Sequence, residues 1–378
     1  MLYFENKDKE YQDLVTDWKN NKLTKEQLLG NESEHLSVFS MLSECGKESP
    51  STLSDVYQIC VSLGKIDASL AWIIGVSNSA WSMLGNMPKD TVNQINYPVL
   101  SMVLGRPGKV RFNKKDNTAV ITGTWKYCSG FEQANGFLGL VKDESVDGEV
   151  YVALMPTKNL KVLEPWNAIG LKGTNSHTIQ ADKLTVDTNS LIPYSTILNG
   201  SIDVSDLPSY RNLFTGVLMN CLTGSIVGAT LHLLDLAIEK NCAEPINGSN
   251  YTFGKDSGAI RTYIGDLTAR MEEIYEFGAN SAAFVDKVAN GDEEIWTTQN
   301  RARLRARASS VMKQCREVAD ELLWLMGSSV LTEDNPTATL WKDIQIGTLH
   351  GGFSRCIPQE ALGISVFSED PFELTKML

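Results

Sequence analysis

The chain has 378 residues, of which 42% are hydrophobic and 21% charged, the balance of an ordinary globular protein with room for a sizeable core. Its formal net charge of -12 argues against a nucleic-acid partner and against an anionic membrane surface, since both need a basic face. Seven scattered cysteines without a CxxC pair, and four dispersed histidines (His35, His177, His232 and His350), point to a reduced, cytoplasmic protein with neither a disulfide framework nor a metal site.

The start, MLYFENKDKE, lacks the basic stretch and apolar run of a secretory leader. No segment reaches the ~18 apolar residues of a membrane span. Residues 1–95 read as an N-terminal helical domain. Leu53, Val56, Ile59, Cys60 and Leu63 recur at helical spacing up to Gly64, and Asp67 is placed to cap a second helix carrying Leu70, Ala71, Trp72, Ile73 and Ile74. Residues 96–195 read as a middle β-domain, with β-rich runs at 99–104, 110–112, 119–125, 137–141, 150–155 and 183–186 separated by turn chemistry. Within it, Ile121, Gly123 and Trp125 alternate with Thr122 and Thr124, a half-buried strand. A loop at 126–130 follows, then a second strand from Phe137. This stretch reads either as an ordinary hairpin or as a loop whose hydroxyl and backbone amides approach a flat polar ligand. Residues 170–176, GLKGTNS, form a second Gly/Ser/Thr loop without the strand and helix of a phosphate loop. Residues 196–378 return to helix and read as a four-helix bundle. Leu213, Val217, Cys221, Gly224, Val227 and Leu231 mark a helix with small residues nearly all round, predicting close burial. Arg301, Arg303, Arg305 and Arg307 read as a solvated or subunit-facing surface.

Five separated stretches then resemble, in the right order, the acyl-CoA dehydrogenase superfamily: GKIDASLAW (64–72), ITGTWKYCSGFEQANGFLGLV (121–141), GLKGTNSHTIQADKLTV (170–186), YTFGK (251–255) and MGSSVLTEDNPTATLWKDIQIGTLHGG (326–352). The resemblance implies an α+β fold: an N-terminal helical domain, a middle β-barrel domain and a C-terminal four-helix bundle, with a flavin between the last two. It implies that Ser129 hydrogen-bonds the flavin near its reactive nitrogen, that Tyr127, Cys128 and Gly130 line the same edge, that Thr174 and Ser176 lie near the flavin phosphate, and that Phe253 belongs to the cofactor site at the start of the bundle's second helix. The N-terminal region is short for the family, with one helix missing or reduced ahead of Asn31.

The departures carry as much as the matches. The Tyr-Glu-Gly-Thr strip that supplies the family's carboxylate base reads His350-Gly351-Gly352-Phe353, so Gly351 holds the base position. No Asp or Glu occurs between Leu207 and Leu234, where the alternative base lies. Asn250 replaces the Arg that grips the FAD pyrophosphate, with Arg261 as a partial substitute. Trp125-x-x-x-Ser129-Gly130 and Lys342-Asp343…His350 are similar instead to the two-component flavin monooxygenases. That branch implies reduced flavin (FMN or FAD) from a separate flavin reductase, oxygen adding to the flavin as a (hydro)peroxide, a small-molecule substrate faced by Trp72 and Asn78, His350 and Ser129 as the catalytic pair, and a homotetramer or homodimer. Two alternatives stay open: an acyl-CoA or acyl-carrier-protein dehydrogenase whose base comes from an unrecognised position (Glu360 and Glu132 are candidates, though neither sits where the motif would place it), and a non-catalytic family member.

Overall fold

The computed structural model describes residues 11–20, 23, 34–43, 51–93, 99–145, 148–199 and 213–378. The readings at the start of the chain, at Asn31 and at 207–212 lie outside them. Helix α1 (Gln12–Lys19) is a short helix ahead of the long ones. Helix α2 (Leu53–Gly64) begins with a capping box: the Asp55 amide donates to Thr52 Oγ1 at 3.1 Å, and the Thr52 amide donates to Asp55 Oδ2 at 2.9 Å. The Asp286 carboxylate adds to that start, accepting from the Leu53 and Ser54 amides at 2.8 and 3.0 Å, where the helix dipole favours negative charge.

Helix α3 (Ala68–Leu84) starts as its sequence predicts, with Asp67 Oδ1 accepting from the Leu70 amide at 2.9 Å. All of its residues are buried, because the helix is apolar or small on every side. It packs on α2, on the first strand of the sheet, on the turn at Lys172–Thr174 and on the C-terminal helices. Ser77 Oγ accepts from the Leu100 amide at 3.0 Å and so ties α3 to the sheet.

The strands are β1 (Leu100–Asn113), β2 (Thr118–Cys128), β3 (Gly136–Asp143), β4 (Val150–Pro156), β5 (Lys161–Glu164), β6 (His177–Asp187) and β7 (Leu191–Pro193), ordered β5-β6-β2-β1-β3-β4-β7. β1 lies between β2 and β3, antiparallel to the first and parallel to the second. The hairpin reading of 121–141 is therefore wrong. Two runs that read as separate strands, 99–104 and 110–112, join into one long β1 with a register shift between Val103 and Gly108. This strand takes the place beside β2 that a hairpin partner would occupy. Residues 129–135 must cross the end of β1 instead, anchored where Ser101 Oγ donates to Ser129 O at 2.7 Å and the Asn135 amide donates to Val99 O at 3.3 Å. Trp125 fills a separate core within the sheet unit, its Nε1 donating to Leu140 O at 2.9 Å and its ring edge-on to Phe137 at 5.6 Å. Gly108 and Gly123 make room for it: a Cβ at either would lie 2.8 Å from the indole.

The bundle comprises α6 (Phe214–Ala243), α7 (Gly258–Ala289), α8 (Thr298–Met326), α9 (Pro336–Thr348) and α10 (Ile357–Val366), preceded by α5 (Tyr194–Asn199) and, before the sheet, α4 (Lys89–Asn93). By length and composition α6 could cross a membrane, but 78% of its most apolar window is buried inside the fold. It is the central helix, packed on α2, α3, α7, α8 and α9. Small residues permit this: a Cβ at Gly75 of α3 would lie 2.7 Å from Cys221 O of α6. The arginine row of α8 departs from the solvated-surface reading. Arg301 and Arg305 are only 7% and 4% exposed. Arg301 donates to Leu198 O and Leu378 O, both at 2.7 Å, and Arg305 donates to Met377 O at 2.7 Å and Thr375 Oγ1 at 2.9 Å. A forked guanidinium can be buried when carbonyls use its donors, and here it fastens the C-terminal segment to the bundle.

Candidate active site

β2 ends in a sharp change of direction. Tyr127 takes a left-handed φ of 67°, which turns its ring outward, 65% exposed and edge-on to Trp166 at 6.0 Å. Cys128 points inward, its Sγ donating to Trp125 O at 3.5 Å, and burial pushes its thiol pKa up, so it is a packing residue here. Gly130 has φ +75°, and a Cβ there would lie 2.8 Å from Ile73 of α3. Its amide donates to Thr174 O at 2.7 Å, joining the 126–130 loop to the 170–176 loop.

Side chains continue that joint. Ser129 Oγ lies 2.8 Å from Ser176 Oγ, Ser176 Oγ lies 2.7 Å from Thr174 Oγ1, and Thr174 Oγ1 donates to Leu171 O at 2.7 Å. Thr174 and Ser176 thus stand beside Ser129 in one hydrogen-bonded chain. The far end of the chain is anchored to the bundle. Leu171, at φ 49°, donates its amide to Asp343 Oδ1 of α9 at 2.5 Å, and Trp166 Nε1 donates to Leu171 O at 2.9 Å. Gly170 lies so close to the α9 backbone that a Cβ would collide with Lys342 O. Burial pushes the Asp343 carboxyl up to about 7, opposed by the Leu171 amide and reinforced by Asp67.

His350 sits just past the end of α9. Gly352 N donates to its Nδ1 at 3.2 Å, so in the neutral ring the proton is on Nε2. Its ring is edge-on to Trp72 of α3 at 5.6 Å and tilted on Phe353 at 5.6 Å. His350 is exposed at this turn, with the Trp72 and Phe353 rings against it. Desolvation by that packing pushes its pKa down from 6.5, so the ring is neutral at pH 7 and offers an Nε2–H. Its contact with water tempers the shift and leaves its direction. The turn is held from behind: Arg305 Nε donates to Gly352 O at 3.4 Å, Ser309 Oγ to Phe353 O at 2.5 Å, and Gln359 Nε2 to Ser309 Oγ at 2.8 Å.

Of the predicted residues, Ser129, Gly130, Thr174, Ser176, Trp72 and His350 are brought together around one helix. Gly130 touches Ile73 while Trp72, its neighbour on α3, touches His350. Asn78 takes no part. It is fully buried, its Oδ1 accepting from the Leu42 amide at 3.1 Å and its Nδ2 donating to Val38 O and Ile74 O at 2.7 and 3.0 Å. Its amide is spent on holding residues 38–42 against α3, which leaves nothing for a substrate. Phe253 sits at the α6–α7 turn, 38% exposed beneath Lys255 Nζ at 5.0 Å. Arg261, the possible substitute for the missing Arg, is used locally, its Nε donating to Lys255 O at 2.5 Å.

The proposed replacement bases are also placed. Glu132 Oε1 accepts from His177 Nε2 at 2.9 Å; His177 Nδ1 accepts from the Trp166 amide at 2.9 Å, which fixes the proton on Nε2. Glu360 is exposed in the first turn of α10. Gly351 is exposed, and a Cβ there would meet nothing within 4 Å. Sequence reasoning quoted Asp343 inside a motif without giving it a task, and missed Arg305 and Ser309. A buried arginine row and a serine one helical turn on from Arg305 were the available signals. An open depression elsewhere, lined by Arg111, Lys114, Asp143, Glu144 and Tyr151, shares none of these residues.

A flavin fits the donor set. The ring edge of a flavin needs hydrogen-bonding groups of both senses, and this edge has a hydroxyl chain ending at Ser129. Among the described residues, Gln133 Oε1 and Asn135 Nδ2, in the segment that follows Ser129, are buried without a partner. Such atoms are costly unless a ligand or water satisfies them.

Comparison with known proteins agrees. Residues 226–355 match the family model for the acyl-CoA dehydrogenase C-terminal domain. The chain is 23% identical over 248 residues to the flavin-dependent monooxygenase oxygenase subunit HsaA of Rhodococcus jostii, covering 62% of this chain and 63% of that one, so the match spans less than two thirds of that relative. It is 23% identical over 337 residues to the indole-3-acetate monooxygenase of Acinetobacter baumannii, covering 83% and 80%. Among solved structures, XiaF from Streptomyces sp. in complex with FADH2 and glycerol superposes with a TM-score of 0.83 at 19% identity, over 96% of this chain and 98% of that one. TdsC from Paenibacillus sp. A11-2 with FMN and indole gives 0.76 at 15% identity, over 95% and 97%. The fold is that of the acyl-CoA dehydrogenases, and these two relatives by sequence are monooxygenases, HsaA a flavin-dependent one.

Proposed function

We propose that this chain is the oxygenase component of a two-component flavin-dependent monooxygenase, acting on a small-molecule substrate with reduced flavin supplied by a separate reductase. One observation carries the reading. The position where an acyl-CoA dehydrogenase would hold its base is Gly351, and beside it stands a neutral histidine whose Nδ1 is engaged by Gly352 and whose Nε2–H is left to donate. Dehydrogenation needs a group that removes a proton as the hydride leaves, and among the described residues no carboxylate stands beside His350 for that. Inserting one atom of oxygen needs instead a dry cavity, a hydrogen-bonding group at the substrate and a fixed flavin edge.

The residues divide that work. Bound reduced flavin supplies the electrons that activate O2. Ser129 holds the ring edge, with Tyr127 and Gly130 beside it. Trp72, Phe353 and Met219, which packs on Gly352, give His350 an apolar surround against which a bound substrate would be shielded from water. Neutral His350 donates from Nε2 to an oxygen of the substrate, or accepts its proton there after the tautomer reverses. FMN or FAD satisfies the edge equally. Phe253 and the α6–α7 turn belong to the site only if a second copy covers them, as in a homodimer or homotetramer. Exposed Trp324 and Tyr263, 6.0 Å apart on the outer faces of α8 and α7, suit such a contact.

The test is a single turnover. Chemically reduced FMN or FAD is bound anaerobically, mixed with 18O2 and an aromatic substrate panel, and the products are weighed. One 18O atom in a product establishes the reading. Reduction of the bound flavin by an acyl thioester, with no oxygen incorporated, would replace it with the dehydrogenase, and failure to bind either flavin would leave a non-catalytic member.

A further inference from the structure

The hydroxyl chain at Ser129 has a direction, and the direction follows from counting protons. Thr174 Oγ1 has one proton and gives it to Leu171 O, because a carbonyl can only accept. Its contact with Ser176 at 2.7 Å therefore has Ser176 as donor. Ser176 then has no proton left for Ser129, so the 2.8 Å contact between them has Ser129 as donor. All three hydroxyls are buried, at 1%, 6% and 9% exposure for Thr174, Ser176 and Ser129, so bulk water does not readily rearrange them. The acceptor that sets the direction is itself fixed, with Leu171 held through its amide by Asp343 and through its oxygen by Trp166.

From this we infer that Ser176 and Thr174 are positioning residues that make Ser129 a hydrogen-bond acceptor toward the flavin edge, and so make the site select reduced over oxidised flavin. The inference rests on the reading of Ser129 given above. Reduced flavin carries a hydrogen on N5, which meets the free lone pairs of Ser129. Oxidised flavin presents a bare N5 lone pair, which needs a donor. For Ser129 to donate, either its bond to Ser176 breaks or the whole chain reverses and the Thr174 bond to Leu171 O is lost; one bond goes in each case. The reduced form thus keeps one hydrogen bond more than the oxidised form. For an oxygenase this ordering admits the useful redox state and releases the spent one.

The measurement is a pair of anaerobic and aerobic titrations of the full-length protein with FMN, and separately FAD, giving Kd for the reduced and the oxidised form. The expected result is a wild-type preference for reduced flavin that falls about tenfold in Ser176→Ala, equivalent to ~1.4 kcal/mol. Thr174→Val, which keeps the side-chain shape, should lower it likewise, and Thr174→Ser, which keeps the hydroxyl, should restore it. Circular dichroism confirms that each variant is folded. Wild-type binding with the same preference in Ser176→Ala and Thr174→Val overturns the directed chain and leaves the proposed function standing. Absence of binding by the wild type in either redox state overturns both.

Discussion

The two sides of the candidate site are built on opposite plans. On the sheet side, Ser129 is tied through Ser176 and Thr174 to Leu171 and onward to Asp343, with every hydroxyl proton engaged. On the bundle side, His350 has its Nδ1 engaged by Gly352 and its ring against the apolar faces of Trp72 and Phe353, with Nε2–H unspent. A network with every proton committed fixes a geometry; an unspent donor is free to act on whatever binds beside it. The sheet side reads as the part that positions, the bundle side as the part that reacts.

The sharpest way to break that contrast is His350→Ala. It should lower product formation by about 10²- to 10⁴-fold, the usual range for losing a proton-handling group, while the Kd for reduced flavin stays within about twofold. Equal losses in binding and turnover would erase the division. Next is Arg305→Met, which removes a buried guanidinium shared by Gly352, Thr375 and Met377. Stranding those acceptors should cost about 2–4 kcal/mol in urea unfolding. An unchanged midpoint would show that the His350 turn does not depend on Arg305. Ser129→Ala should act on the other side. It is expected to weaken reduced-flavin binding about tenfold, or to raise hydrogen peroxide release per flavin oxidised, without lowering thermal stability.

The smallest effect is on pH dependence, where the two sides oppose each other. His350 has its folded pKa lowered to about 4, so the stability tied to its neutral form is complete above pH 6.5 and lost as pH falls toward 4. Asp343 has its folded pKa raised to about 7 from 3.8, so the stability tied to its protonated form is complete below 3.8 and lost as pH rises toward 7. The two slopes have opposite signs between pH 4 and 6.5. Asp343→Asn keeps an oxygen for the Leu171 amide and removes the charge. Its melting temperature should rise with pH across that window and exceed wild type by about 1–4 °C at pH 7. Parallel wild-type and variant curves would show that Asp343 is ionised at neutral pH.

Much of this frame is legible in the residues because it is local. The cap at Asp67, the alternation through Trp125, the small-residue face of α6 and the Ser129 loop all follow from spacing within a few positions. What escaped is set by partners far along the chain. The strand inserted between β2 and β3 depends on two short runs joining. The burial of Arg301 and Arg305 depends on carbonyls at Leu198, Met377 and Leu378. Asn78 reads as a polar residue available to a pocket, and only its contacts with Val38, Ile74 and Leu42 show that its amide is spent. Of the site, the hydroxyl residues were visible as a composition; their proton order needs the distances between them.

The seam between Gly170-Leu171 and Lys342-Asp343 also bears on how the molecule is made. The loop that completes the flavin edge belongs to the part synthesised first, yet its amide is held by a carboxylate 172 positions later. A nascent chain therefore carries an unfinished loop until the final helices leave the ribosome and dock. A truncated product lacking α9 would leave Leu171, and with it the hydroxyl chain that ends at Ser129, without the Asp343 anchor.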